Sequence, residues 1–197
     1  MTTPTTAAVS GCVVLAAGSS RRFGSDKRRF MLPGGSTLLE QTLATVRMVF
    51  ARRVLVLRAE DKELAAHYRD DWQIVLATDA SMGMGHSLAA ALPALTGWPG
   101  AVIALADMAW VQPQSFVAVE AALRPDLLVV PYHNGERGNP VGIGSDYFGQ
   151  LANPQGDSGA RQLFGEFRDK VIRLELDDPG ILQDLDIQPT DGIRPYP

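Results

Sequence analysis

The chain has 197 residues, of which 46% are hydrophobic and 20% are charged, a size and balance typical of one globular domain with a substantial core. We therefore expect a single domain over residues 1–197. The 18 basic and 22 acidic residues give a net charge of −4, which argues against a general electrostatic grip on nucleic acid or on an anionic membrane. Any binding of anions must be local.

The chain has a single cysteine, Cys12, which excludes an intramolecular disulfide framework and a zinc site built on several thiolates. No apolar run approaches the roughly 18 residues that a membrane span requires. Together these features predict a soluble protein in a reducing cytoplasm, with no membrane partner.

Short apolar runs alternate with segments of helical period along most of the chain. The predicted strands are residues 9–16, VLVLR (54–58), QIVLA, AVIALAD (101–107), LLVVPY and DKVIRLEL. The predicted helices are residues 36–50, DKELAAHYRD, GHSLAAALPAL and PQSFVAVEAAL. Alternating units whose strands are apolar throughout predict an α/β fold in which a mostly parallel sheet is covered by helices on both faces, a three-layer αβα arrangement of the Rossmann-like type.

The residue composition changes after Tyr132, where glycine, asparagine and proline become frequent and the periodic hydrophobic pattern breaks down. We predict a loop-rich segment from His133 to Phe164. Loops on a rigid scaffold often carry binding groups, and an irregular surface connection is the alternative interpretation.

The first predicted strand runs into a glycine-rich and cationic loop, VVLAAGSSRRFGSDKRRF, at 13–30. Gly18 and Gly24 are expected to let backbone N–H groups converge on an anion, and Ser20 with its neighbour Ser19 adds hydroxyl donors. Five cations follow against the single acid Asp26: Arg21, Arg22, Lys27, Arg28 and Arg29. This composition predicts a cradle for a polyphosphate at the carboxyl end of the strand, and a solvated basic loop is the alternative.

The cationic loop matches neither of the common phosphate-binding motifs. Gly24 is followed by SDK in place of the lysine and hydroxyl pair of a P-loop, and GxGxxG is absent. A carboxylate, Asp107, directly follows the apolar run AVIALA and is expected at the same edge of the sheet. Magnesium takes one or two carboxylates together with phosphate and water oxygens, so Asp107 is the candidate metal ligand. A helix-capping aspartate is the alternative.

The segment LAAGSSRRFGSDK resembles the LAAGxSxRMGxxK signature of the molybdenum cofactor cytidylyltransferases and guanylyltransferases, which attach a nucleotide to molybdopterin. Further segments resemble blocks of this family in the family's order: LPGGSTLLEQTL, MGMGHSLAAAL, LADMAWVQP, GNPVGIG and QGDSGARQLF. The resemblance implies the nucleotidyltransferase variant of the αβα fold. It also implies that Arg22 and Lys27 hold the triphosphate and that Asp107 holds Mg²⁺. Ala109 departs from the proline that is usual in the family.

The resemblance implies a magnesium-dependent transfer of a nucleotide to the terminal phosphate of molybdopterin, with release of pyrophosphate. We expect the backbone of Leu15, Ala16 and Ala17 to read the base, with Gly18 and Ser20 beside the nucleotide. The guanylyl branch has glycine where this chain has Ala17, and the added methyl group favours the smaller pyrimidine. We therefore predict CTP, with GTP as the alternative.

Two further residues beside SMGMGH are candidate contacts to the base or the ribose: Asp79 and Ser87. A helix cap is the alternative role for each. On the acceptor side the resemblance points to Asn139, Pro140 and Asp157, and Asp157 is also a candidate second metal ligand. Asn139 replaces the histidine common in the cytidylyl branch, so a sugar or alditol phosphate stays open as acceptor. A different class of function is a non-catalytic carrier that delivers the cofactor to an apo-molybdoenzyme.

Overall fold

The structure is a computed structural model that describes residues 10–20, 23–153 and 161–185. Within these ranges eight strands form one sheet. They are β1 (Gly11–Leu15), β2 (Arg53–Arg58), β3 (Gln73–Ala77), β4 (Gly100–Leu105), β5 (Leu128–His133), β6 (Glu136–Arg137), β7 (Val141–Gly144) and β8 (Val171–Glu175). The order across the sheet is β3-β2-β1-β4-β7-β5, and both β6 and β8 pair with β5.

Six α-helices lie in the described part of the chain. They are α1 (Leu38–Val49), α2 (Lys62–Tyr68), α3 (Met84–Ala91), α4 (Pro113–Ala122), α5 (Phe148–Leu151) and α6 (Arg161–Glu166). One apolar cluster joins α1, α2 and α4 to the first face of the sheet, and a second joins α3, α5 and α6 to the opposite face. The predicted three-layer αβα fold is therefore confirmed.

The buried strands explain why the sequence shows apolar runs and no alternation. Along β1, Cys12 and Val14 belong to one core cluster, and Val13 and Leu15 belong to the other. Both faces of a central strand are covered by helices, so every side chain must be apolar. β1, β2, β3 and β4 are mutually parallel, and β5 and β8 are parallel to each other.

The prediction of a loop-rich segment after Tyr132 is wrong at β7, which lies antiparallel between β4 and β5. This strand reads VGIG, and its glycines are a packing requirement. A Cβ on Gly144 would lie 2.2 Å from the carbonyl oxygen of Pro125, and one on Gly142 would lie 3.1 Å from Cβ of Val129. This crowding leaves room only for glycine at these two positions, and glycine is a residue that the usual pattern of a β-strand excludes.

The C-terminal part of the described chain is anchored to the start of α4. Asp178 is only 3% exposed. Its carboxylate accepts hydrogen bonds from the backbone of Gln112 and from the hydroxyl of Ser115, as well as from the backbone of Gly180. Residues 186–197 lie outside the described residues. None of the helices in the described ranges has the length and apolarity needed to cross a bilayer.

Candidate active site

The carboxyl ends of β1 and β4 lie side by side. The two strands are parallel, and Leu15, the last residue of β1, is paired with Leu105, the last residue of β4. The backbone N–H of Ala106 then donates to the carbonyl of Leu15 at 3.1 Å. The glycine-rich segment and the turn that carries Asp107 therefore leave the sheet as neighbours, at the edge where open parallel sheets bind ligands.

A cavity of about 340 Å³ opens at this edge. Eight of the predicted site residues line it: Leu15, Ala16, Ala17, Gly18, Ser20, Lys27, Ser87 and Asp107. Its opposite wall is the start of α3 and the turn before it, with Ala80, Ser81, Gly83 and Met84, which the sequence analysis did not assign individually. Gly83 has φ = 125°, a conformation that favours glycine. The MGMG of the family block was the available signal for this wall.

A salt bridge between Lys27 and Asp107 lies in the wall of the cavity. The ammonium of Lys27 donates to Oδ2 of Asp107, and the two side chains are 19% and 13% exposed. The backbone N–H of Lys27 lies 3.4 Å from Oγ of Ser20. A cation and a carboxylate thus meet in a sheltered cleft, where charge interactions are stronger than at the surface.

Lys27 is positioned by a small apolar cluster beneath the loop. Phe23 and Phe30 flank the lysine in sequence and pack edge to face, with ring centres 5.5 Å apart. Phe23 also belongs to a buried group with Leu38 of α1 and Ala109. Between the two rings a 3-10 turn, Lys27–Arg29, is capped by the side chain of Asp26. The loop is therefore folded onto α1 and onto the Asp107 turn.

Arg28, one of the five cations of the predicted cradle, lines the cavity but is buried and paired with carboxylates of the protein. Arg28 is 4% exposed and forms bidentate salt bridges with Asp26 and with Asp61. Burial acts to lower the pKa of Arg28, but hydrogen bonds to Asp61 and Asp26 outweigh it and raise that pKa above its ordinary value. Arg58 contacts the same two carboxylates, so the group is charge-balanced.

The Arg28 network also fixes the backbone at the end of β1. The Arg28 Nη1 atom donates to the carbonyl of Ala16 at 2.8 Å, while the N–H of Ala16 donates to the carbonyl of Val56. The carbonyl of Leu15 already accepts from Ala106. At Leu15 and Ala16, much of the backbone that was expected to contact the base is therefore engaged in hydrogen bonds that hold the loop in place.

The backbone conformations of the loop differ from the expectation. Positive φ occurs at Ser20 (49°) and Gly24 (76°), whereas Gly18 does not lie in that region. A Cβ built on Gly18 would have no heavy atom within 4 Å. Gly18 therefore leaves open space beside the cavity.

The remaining predicted residues lie away from the cavity or outside the described ranges. Asp79 is exposed, precedes the turn into α3 and does not line the cavity. Asn139 donates its backbone N–H to the carbonyl of Ile181, and Pro140 is buried. Neither residue lines the cavity at the ends of β1 and β4. Arg22 and Asp157 lie outside the described residues.

The residues at the cavity fit a divalent ion shared with a substrate. Among the described residues, no group of three or more His, Cys, Asp or Glu side chains could hold a metal by itself. Asp107 supplies one carboxylate in the cavity wall. Mg²⁺ commonly binds in this way, with one or two carboxylates from the protein and the remaining oxygens from phosphates and water.

The fold and this site place the chain in a known class of enzymes. Residues 12–171 match the MobA-like NTP transferase domain, so the chain belongs to that family and is a nucleotidyltransferase. The resemblance deduced from the LAAGSSRRFGSDK segment is thereby confirmed. Purine catabolism protein PucB of Bacillus subtilis (strain 168) is 31% identical over 189 residues, covering 88% of this chain and 90% of PucB.

Two solved structures are similar to this chain in sequence and fold. A homolog of Mycobacterium tuberculosis Rv0371c from Mycobacterium sp. strain JC1 is 31% identical, with a TM-score of 0.79 and coverage of 90% of each chain. Rv0371c of M. tuberculosis H37Rv, crystallised in complex with manganese, is 26% identical, with a TM-score of 0.75, covering 87% of this chain and 89% of Rv0371c.

Proposed function

We propose that the protein transfers CMP from CTP to the terminal phosphate of molybdopterin, with Mg²⁺ as cofactor and pyrophosphate as the second product. The observation that carries the proposal is the Lys27–Asp107 pair in the wall of a cavity of about 340 Å³ at the carboxyl ends of β1 and β4. Membership of the MobA-like NTP transferase family supports the reaction type.

Lys27 and Asp107 have complementary tasks when a triphosphate enters. The ammonium of Lys27 leaves the carboxylate and binds a phosphate oxygen, and Arg22 adds a second cation. Asp107 would hold the divalent ion, which would neutralise charge on the phosphates. The manganese complex of the relative Rv0371c supports a divalent ion at this fold.

The chemistry requires positioning and charge neutralisation more than covalent catalysis. A phosphate oxygen of the acceptor attacks the α-phosphorus of CTP, and a new P–O bond forms. The bond between the α-phosphorus and the oxygen that bridges to the β-phosphate breaks, so pyrophosphate leaves with the electron pair. Lys27 and Arg22 stabilise the negative charge that develops on this leaving group.

Base selection falls to the start of the loop. Because the network around Arg28 engages the backbone of Leu15 and Ala16, we assign the base contacts to the backbone of Ala17. Its methyl group limits the space beside the base and favours cytosine. Ser87, which is buried in the cavity wall, is the preferred residue for a contact to the nucleoside, and Asp79 is a weaker candidate because it is exposed outside that wall.

The acceptor and the setting follow from the family. Asn139, Pro140 and Asp157 are proposed on the acceptor side, with molybdopterin as first choice and a sugar or alditol phosphate as the alternative. The name of PucB places that relative in purine catabolism. For this chain, we propose that an apo-molybdoenzyme receives the finished molybdenum cofactor. The single domain over 1–197 and the cytoplasmic location stay predictions.

The test is an assay of pyrophosphate release with each nucleoside triphosphate, Mg²⁺ and molybdopterin under anaerobic conditions, with the product identified by mass spectrometry. We expect release with CTP and a product that carries CMP. Release with GTP in preference to CTP selects the guanylyl alternative. If no triphosphate gives release with molybdopterin, the proposal is wrong, and the carrier and the transfer to a sugar or alditol phosphate are the alternatives.

A further inference from the structure

The salt bridge between Lys27 and Asp107 joins two side chains that the proposed function gives to different ligands. Both residues line the cavity at the carboxyl ends of β1 and β4, and the ammonium of Lys27 donates to Oδ2 of Asp107. A phosphate oxygen needs the ammonium, and a divalent ion needs the carboxylate. Each ligand therefore has to compete with a group of the protein for its partner.

The ammonium of Lys27 opposes the binding of a divalent ion by itself. Among the described residues that line the cavity, Asp107 is the single acidic one, so a cation that enters the cavity meets this carboxylate. An ammonium already bound to the carboxylate competes for its oxygen and also repels a second positive charge. The salt bridge thus lowers the affinity of Asp107 for a metal that arrives without phosphate.

The carboxylate of Asp107 opposes the binding of a triphosphate without metal. Arg28, the other cation among the described lining residues, is paired with Asp26 and Asp61. A triphosphate therefore has to draw the ammonium of Lys27 away from a carboxylate that repels phosphate oxygens. Because the pair is sheltered in the cavity wall, these charge interactions are stronger than they would be at the surface.

The exchange of partners has to occur in the side chains, because the backbone on each side is held in place. The loop that carries Lys27 is packed through the rings of Phe23 and Phe30, and the turn that carries Asp107 is bonded to the end of β1. An ammonium lies at the end of a flexible four-carbon stem, whereas the aspartate side chain is short. The ammonium is therefore the group that moves.

We propose that the Lys27–Asp107 salt bridge makes the binding of the metal and of the triphosphate mutually dependent. The pair excludes a free divalent ion from Asp107 and a metal-free triphosphate from Lys27, and it opens when both ligands are present. Such coupling is reciprocal, so each ligand raises the affinity for the other by the same factor. The coupling rests on the roles of these two residues in the proposed function, but not on the identity of the base or of the acceptor.

Mn²⁺ binding in the absence of nucleotide tests the first half of the proposal. Free Mn²⁺ is measured by electron paramagnetic resonance during titration of the wild type, of Lys27→Met and of the double variant Lys27→Met, Asp107→Asn. Removal of the ammonium should tighten Mn²⁺ binding by about tenfold or more. The double variant should lose this gain, because the carboxylate is gone. Lys170→Met, which removes the same charge from an exposed position, is the matched control and should bind like wild type.

Unchanged Mn²⁺ affinity in a folded Lys27→Met protein would overturn the proposal. A gain that persists in the double variant would overturn it as well, since the ion would then not be bound to Asp107.

Inorganic triphosphate in the presence of EDTA tests the second half. Calorimetric titration compares the wild type with Asp107→Asn, and Asp71→Asn, at an exposed position, is the matched control. Asp107→Asn should bind metal-free triphosphate about tenfold or more tightly than the wild type, because Lys27 no longer has to leave a carboxylate. Equal or weaker binding by a folded Asp107→Asn protein would contradict the coupling.

Both variants are expected to gain affinity, which a loss of folding does not produce. If one of them does not fold, the titration of the other decides. Neither titration uses CTP or molybdopterin. Failure of the wild-type protein to release pyrophosphate would contradict the proposed function, whereas the two titrations alone judge the coupling.

Discussion

Lys27 and Asp107 are 80 residues apart in sequence and form a salt bridge in the wall of the cavity at the carboxyl ends of β1 and β4. Lys27 is placed by a loop that packs on α1, and Asp107 by a turn whose backbone bonds to the end of β1. Thr42 of α1 strengthens this arrangement, since its hydroxyl donates to the carbonyl of Ala106 at 3.2 Å. The backbone segments that carry the two charged groups are thus held by rigid elements, which supports the preorganisation that charge stabilisation requires.

Replacement of Asp107 by asparagine should impair the use of metal. The amide keeps the shape of the side chain but removes the negative charge that a divalent ion needs, so we expect a fall in turnover of about a hundredfold and a higher Mg²⁺ requirement. Pyrophosphate release measured against Mg²⁺ concentration checks this. Asp71→Asn, at an exposed surface pair with Arg47, is the control, and an unchanged Mg²⁺ curve for Asp107→Asn would contradict the assignment.

Replacement of Ala17 by glycine should relax base selection. Ala17 lines the nucleotide cavity, and removal of its methyl group enlarges the space beside the base. One methyl group changes discrimination by about tenfold in favourable cases, so kcat/KM for GTP relative to CTP should rise by about that factor. Equal ratios for the variant and the wild type would show that Ala17 does not select the base.

Replacement of Arg28 by methionine should destabilise the protein by about 3–5 kcal/mol, because it leaves the carboxylates of Asp26 and Asp61 with one cation fewer in a buried network. Urea unfolding measures the change. Arg47→Met removes an exposed salt bridge and should cost at most about 1 kcal/mol. Addition of Asp61→Asn to Arg28→Met should restore part of the lost stability, and a further loss would contradict the network.

The N-terminus of α1 should make stability depend on pH. The side chains and backbones of Thr37 and Glu40 form a capping box, and the hydrogen bonds from Thr37 lower the pKa of Glu40. A carboxyl with a lowered folded-state pKa stabilises the protein above its unfolded-state pKa, and this stabilisation is lost as the pH falls through the folded-state value.

The difference in unfolding free energy between wild type and Glu40→Gln should therefore be present at neutral pH and vanish on acidification. Thr37→Ala should cost about 1 kcal/mol at neutral pH. Denaturant unfolding at a series of pH values checks both statements. A difference between wild type and Glu40→Gln that stays constant into the acid range would be inconsistent with the lowered pKa of Glu40.

The elements that could be predicted from the sequence are those whose pattern is local. The runs that became β1, β2 and β4 are apolar because helices cover both faces of these strands. Helix α1 shows its buried face at three- and four-residue spacing. β7 could not be recognised, because its glycines are required by the close approach of Pro125 and Val129, which lie near them only after folding. No local pattern carries that information.

The site shows the same division. Ala17, Gly18 and Asp107 follow buried runs directly, so their meeting at one edge is a consequence of parallel strands. Arg28 belongs to the same basic run as Lys27, and the sequence alone does not separate them. The difference comes from Asp61, 33 residues away, which draws Arg28 into the interior.

The most direct measurement is the rate of acceptor-dependent pyrophosphate release by the wild-type protein and by Lys27→Ala, with CTP, Mg²⁺ and molybdopterin. Loss of one preorganised charge-stabilising donor reduces turnover by about a hundred- to a thousandfold, and we expect a decrease in that range. Arg69→Gln, at an exposed arginine, is the control and should turn over at close to the wild-type rate. A Lys27→Ala protein that is folded and turns over at nearly the wild-type rate would contradict the central claim that this lysine acts on the triphosphate.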